Sequence, residues 1–109
     1  MKSAAVAENR IFQALADPSR RAILEALTHG EAAVKELTAR FDISQPAVSQ
    51  HLATLKAAGL VHGRREGRCV YYRVEPRGMK PLVDWIAHYR AFWTDRVDRL
   101  QRLLETMDE

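Results

Sequence analysis

Apolar residues change their spacing twice along this chain. Up to Gly59 they recur every three or four positions, the period of a helix with one buried face. Between Leu60 and Val74 the pattern becomes that of extended strands, rich in Val and Tyr. From about Gly78 to Met107 the helical period returns and is sustained without interruption. The first stretch divides into several helices. A short one begins near Ala7 or Glu8, with Ile11, Phe12 and Leu15 on one face. Asp17-Pro18 then reads as an N-cap followed by proline at the first helical position, where its missing N–H costs nothing. Ile23, Leu24 and Leu27 supply the apolar face of that second helix, and His29-Gly30 closes it.

A third helix over roughly Ala33 to Phe41 carries Val34, Leu37 and Phe41. Asp42-Ile43 leaves room only for a tight turn. Ser44 is the next N-cap, Pro46 lies in the first turn, and Val48, Leu52 and Leu55 form the inward stripe up to Ala58-Gly59. Two short helices joined by about three residues make a helix-turn-helix. The strand-forming residues after Gly59 read as a two-stranded ribbon with Gly63–Arg68 between the strands, where Gly67 supplies the positive φ of a hairpin tip. The expected fold is therefore mainly α with a small β-hairpin, a winged helix-turn-helix in one domain over 1–109. Its reading helix covers about 44–58, its wing about 60–74 and its last helix about 78–107.

Charge sharpens this picture. The net charge of the 109 residues is +3, which by itself excludes little. Its distribution is uneven. Residues 1–55 hold six basic and six acidic side chains, 56–73 hold five against one, and 74–109 hold six against seven. The excess lies in the stretch expected to form the end of the reading helix and the wing, as for a surface that meets phosphates.

The reading helix has the complementary character. Ser44 to Leu55 contains no Asp, Glu, Lys or Arg, unusual for a face that meets only water. With Val48, Leu52 and Leu55 inward, Gln45 and Gln50 can each pair two hydrogen bonds with a base edge, adenine above all. Ser44, Ser49 and Thr54 reach phosphates or bases, and Pro46, Ala47 and Ala53 allow close approach to a groove wall. His51 is assigned to the DNA edge or to local packing. Arg64, Arg65 and Arg68 are expected at the wing tip, on flanking phosphates or in the minor groove. The DNA-binding set is thus Ser44, Gln45, Pro46, Ala47, Ser49, Gln50, His51, Thr54, Arg64, Arg65 and Arg68.

Met79, Leu82, Ile86, Tyr89, Trp93, Val97, Leu100, Leu104 and Met107 form a stripe ~40 Å long at ~1.5 Å per residue. One small core cannot cover it, and the simplest partner is the same helix of a second copy. Asp84 and His88, four apart, are a fragment of a metal site, but a surface Asp–His pair is far commoner than a ligand pair. Cys69 is the single cysteine, so no internal disulfide forms; beside arginines it is weighed as a thiol sensor against the commoner role of a small hydrophobe. Trp85, Tyr89, Phe92 and Trp93 are weighed as a ligand pocket against a plain interface core, and the core is preferred. The N-terminal residues lack the apolar run of a signal peptide, and no segment approaches a membrane span, so a soluble cytoplasmic protein is expected. No phosphate loop, nucleophile elbow or catalytic Cys–His motif is present, no metal or other cofactor is implied, and an enzyme is not expected.

Three segments together, ALADPSRRAIL (Ala14–Leu24), ISQPAVSQHLATLKAAGLV (Ile43–Val61) and the pairs Gly67-Arg68 and Tyr71-Tyr72, resemble the arsenic-responsive repressor (ArsR/SmtB) family over about residues 8–107. The resemblance implies a homodimer joined through the first and last helices, repression at a double-stranded operator, and release by an effector, here an unidentified small molecule. The dimer interface is accordingly assigned to Ile11, Phe12, Leu82, Ile86, Tyr89, Trp93, Val97, Leu100 and Leu104. Metal sensing is not carried over: the segment Val34–Arg40 (VKELTAR) lacks the cysteines of metal-sensing members, and only Asp84 and His88 remain of their last-helix ligands. Phe92–Leu100 (FWTDRVDRL) is similar to metal-independent members. A metal- or thiol-switched variant of the same fold, or a protein-interaction module built on the last helix, is the alternative.

Overall fold

The computed structural model describes residues 2–108; Met1 and Glu109, the ends of the domain expected over 1–109, lie outside the described residues. In chain order the elements are α1 (Lys2–Leu15), α2 (Pro18–Leu27), β1 (Ala32–Ala33), α3 (Val34–Arg40), α4 (Gln45–Ala57), β2 (Val61–Glu66), β3 (Cys69–Val74), a 3-10 turn (Pro76–Met79) and α5 (Lys80–Asp108). The mainly helical fold with a small sheet is as the periodicity implies. Three details differ. Helix α1 begins several residues before Ala7, because an alanine-containing stretch (KSAAVA) sustains a helix on propensity without an apolar stripe. Two-residue β1, too short for any periodicity, adds a third strand, pairing Ala32 with Tyr72 and Ala33 with Tyr71. And β2 runs on through Arg64, Arg65 and Glu66, so that only Gly67-Arg68 remain as the loop. A ribbon wet on both faces shows no apolar alternation there, which is why its length was hidden. Gly67 has φ 63°, as a two-residue II′ turn requires at its first position.

The connection from α1 to α2 is held by a reciprocal cap. Asp17 accepts from the backbone N–H groups of Ser19 (2.7 Å) and Arg20 (3.3 Å), covering the start of α2. The Arg20 guanidinium reaches back to the carbonyls of Ala14 (2.6 Å) and Gln13 (3.1 Å), and Arg21 to that of Leu15, covering the end of α1. Burial opposes ionisation of Asp17, but the N–H groups of Arg20 and Ser19 and the charges of Arg20 and His51 outweigh it and hold the carboxyl below its usual value.

One buried cluster joins α1 (Ile11, Ala14), α2 (Ile23, Leu24, Leu27), β1 (Ala32), α3 (Leu37), α4 (Val48, Leu52, Leu55) and the entry to β2 (Leu60, Val61). Ile11, expected at a dimer surface, is only 1% exposed and belongs to this core. It falls on the inner side of α1, whereas Phe12, the next residue and about 100° round the helix, is exposed.

Helix α4 ends in a Schellman motif. The N–H of Gly59 (φ 80°) donates to Lys56 O at 2.9 Å, and that of Leu60 to Leu55 O at 3.0 Å. The 3-10 turn then closes on this cap so tightly that a Cβ on Gly78 would lie 1.5 Å from the Gly59 carbonyl oxygen. This contact, with Glu75 N–H on Leu60 O at 2.9 Å, sets where α5 departs. Helix α5 projects: the radius of gyration is 17.9 Å, against ~13 Å for a compact chain of this length.

Gly78→Ala is expected to destabilise the protein by about 1–3 kcal/mol through overpacking against backbone, measured by urea unfolding. An unchanged midpoint would mean that the Gly59 cap yields at no cost.

Candidate nucleic-acid interface

Helix α4 is built to present one face. Ser44 caps it, its hydroxyl oxygen accepting from Ala47 N–H at 3.3 Å, and Pro46 occupies the first turn. Val48, Leu52 and Leu55 are completely buried. With that stripe inward, Gln45, Pro46, Ser49, Gln50 and Ala53 are exposed, followed by Lys56. The remaining members of the expected set are placed differently. Ala47 is half-buried, and the Thr54 hydroxyl donates to its own helix at Gln50 O, 3.1 Å away. His51 is half-buried, with its Nδ1 enclosed and unpartnered.

The three wing arginines are not equivalent. Arg64 donates to Glu66 at 2.7 Å on its own strand and to Glu31 at 2.6 Å in the loop before β1, and its guanidinium lies 5.1 Å from the Tyr71 ring centre. It is a latch between the wing and the body. The hydrogen bond from Arg64 lowers the Glu31 carboxyl from its usual value, opposed by desolvation and aided by the charges of Arg64 and Arg73. Arg65 and Arg68 are exposed and, among the described residues, make no ion pair.

A groove of about 380 Å³ joins these parts, with Gln45 and Ser49 from α4, Arg68 and Val70 from the hairpin, and Val34 and Lys35 from α3 along its sides. Lys35 was missed in the sequence because it lies in a charge-balanced region, next to Glu36. Only the fold carries it to the wing. Cys69 is exposed at this groove as a free thiol.

The family described as "Bacterial regulatory protein, arsR family" matches residues 17–62, from the α2 cap to the beginning of β2. The chain is 42% identical over 98 residues to the HTH-type transcriptional regulator Rv2034 of Mycobacterium tuberculosis, covering 90% of this chain and 89% of that one. The chain belongs to the ArsR family. A second relative, the transcriptional repressor SdpR of Bacillus subtilis, is 32% identical over 81 residues, 74% of this ArsR chain and 90% of SdpR. Among solved structures, a crystallised ArsR family transcriptional regulator superposes with a TM-score of 0.73 at 34% identity, over 83% of this chain and 93% of the other. HlyU from Vibrio cholerae gives 0.67 at 33% identity, over 84% and 98%. This ArsR family member is thus a winged helix-turn-helix transcriptional regulator that binds DNA, and not an enzyme. On α5, Asp84 pairs with Lys80 at 2.7 Å, and His88 stacks edge-on against Tyr89. No group of three or more His, Cys, Asp or Glu that would hold a metal ion is found among the described residues.

A folded-state carboxyl pKa below the unfolded one contributes stability above the unfolded value and loses it as pH falls through the folded value. The Glu31–Arg64 latch should therefore open at a lower pH than that at which an ordinary glutamate takes up its proton. NMR of the Arg64 Nε–H between pH 7 and pH 3 tests this. Glu31→Gln should already give the low-pH signal at pH 7; identical titrations for both proteins would sink the latch.

Proposed function

We propose that the chain is a homodimeric, metal-independent repressor that binds an imperfect palindrome, with one α4 in the major groove of each half-site. The observation that carries this is the exposed, uncharged polar face of α4, Gln45, Ser49 and Gln50, held outward by a fully buried stripe. Two glutamine amides on a helix with small neighbours suit bidentate contact with base edges. Arg65 and Arg68 grip the flanking backbone, Ser44 and Thr54 approach the phosphates as their hydroxyls exchange partners, and Arg64 holds the wing at its angle. Half-sites lie about one helical turn, ~34 Å, apart.

The second copy is argued from α5. Ile86, Trp93, Val97, Leu100 and Leu104 are each about half exposed, although all are large and apolar. Phe12, 41% exposed on α1, meets Trp85 edge-on at 5.4 Å, and Trp85 packs on Tyr89 at 5.1 Å, so the apolar strip continues from α5 onto α1. Burying such a strip against its own copy removes the largest apolar surface from water. The strip Phe12, Leu82, Ile86, Tyr89, Trp93, Val97, Leu100 and Leu104 forms the dimer interface. Metal independence is supported by the donor set, since Lys80 already holds Asp84 and α3 carries no cysteine. No helix of the described residues is long and apolar enough to cross a membrane, and the regulator works in the cytoplasm, releasing its operator to an unidentified small molecule. That it represses is drawn from its likeness to SdpR, a named repressor.

Gln50→Ala is expected to weaken binding to a duplex selected by the wild-type protein by ~1–3 kcal/mol and to relax the preference at one base pair. Fluorescence anisotropy against that duplex and a random one checks it, and equal losses on both would remove Gln50 from base readout. Leu100→Glu is expected to halve the mass measured by light scattering at micromolar concentration. A wild-type protein of one chain mass at the same concentration would overturn the dimer.

A further inference from the structure

Resting on the DNA-binding reading above, we propose that Lys35 and Arg68 hold one backbone phosphate of the operator between them, in the groove that separates α3 from the wing. The polar side chains along this groove are the Lys35 ammonium, the Arg68 guanidinium, the Gln45 amide, the Ser49 hydroxyl and the Cys69 thiol, and no carboxylate lines it. Every one of them can donate a hydrogen bond, the character of an anion seat. Among the described residues neither cation is neutralised: the ion pairs involve Arg20, Arg64, Lys80 and Arg99. The adjacent acid, Glu36, is not among the residues lining the groove, and its carboxylate accepts from the Ala33 N–H at 3.2 Å.

The occupant follows from what else borders the groove. Gln45 and Ser49 line it and also belong to the exposed face of α4. A duplex that brings base edges to that face brings one of its strands across the groove, as the first helix of a helix-turn-helix crosses the backbone. A volume of about 380 Å³ takes a phosphodiester with part of its flanking sugars. Because Lys35 comes from α3 and Arg68 from the hairpin tip, a shared phosphate ties body and wing to one point of the strand. Lys35 is thereby a positioning residue: it sets the depth and angle at which α4 reads, without touching a base.

The test uses the full chain and the duplex that the wild-type protein selects from a random pool, beside an unselected duplex. Lys35→Gln should weaken binding to both roughly 3–10-fold at 0.1 M salt and reduce the log–log salt slope by about one. Lys35→Arg should restore both. A set of selected duplexes, each with a single neutral methylphosphonate, should include one position at which wild type and Lys35→Gln bind equally. Arg68→Gln should lose its effect at that same position. Unchanged affinity and slope for Lys35→Gln, with its thermal midpoint also unchanged, would overturn the seat and leave the DNA-binding reading intact. Separate insensitive positions for Lys35 and Arg68 would overturn the sharing. Failure of the wild-type protein to enrich any duplex would overturn the DNA-binding reading itself and the seat with it.

Discussion

Burial of Val48, Leu52 and Leu55 fixes the rotation of α4 about its own axis, and the outward surface of the regulator follows from that phase. Turning the helix by one residue, about 100°, would bring this stripe toward water and carry Gln50 or Ser49 into the core. Full burial of each side chain contributes about 1.5–3 kcal/mol, so the three together rival the ~5–15 kcal/mol by which small domains are stable. The amides of Gln45 and Gln50 need no internal partner to stay in place. They are held by what lies behind them, and their hydrogen-bonding capacity stays open to whatever meets this face.

The arginines show how one residue type is divided between architecture and recognition. Arg20 and Arg21 cover the free carbonyls at the end of α1, while Asp17 covers the free N–H groups at the start of α2. The Asp17–Arg21 segment is thus a joint that satisfies two helix ends at once, and its charges are occupied by backbone. Arg64 is likewise occupied, between Glu31 and Glu66. Arg65, Arg68 and Lys56, by contrast, make no ion pair among the described residues, nor does Lys35 from the helix before α4. Guanidinium groups suit both tasks because their planar fork meets carbonyl, carboxylate and phosphate oxygens alike.

Helix α5 stands apart from this economy. It leaves the body at the contact between Gly59 and Gly78 and carries a row of large apolar side chains into solvent. The Schellman cap that ends α4 is also the surface against which the 3-10 turn closes. The exit angle of α5 is therefore coupled to the end of the reading helix through two glycines that have no side chain to spare.

How legible the molecule was depended on the range of the interaction. Local signals carried the helix count, the Asp17 and Ser44 caps, the α4 stripe and the outward glutamines, because capping and the 3.6-residue period act within a few positions of the chain. The unmatched length of the α5 stripe was also readable, as a count of apolar positions beyond what one small core can cover. Three features were decided only in three dimensions. Strand β1 exists because Ala32 and Ala33 meet Tyr72 and Tyr71 about forty residues later, and two alanines have no pattern of their own. Ile11 went to the core and Phe12 to the surface, since adjacent helical residues differ by about 100° and only packing shows which direction is inside. The fates of Arg64 and Lys35 were set by Glu31 and by the groove beside Arg68. A tally of charges along the chain carries no record of which are already paired, because pairing depends on distances that only the folded backbone creates.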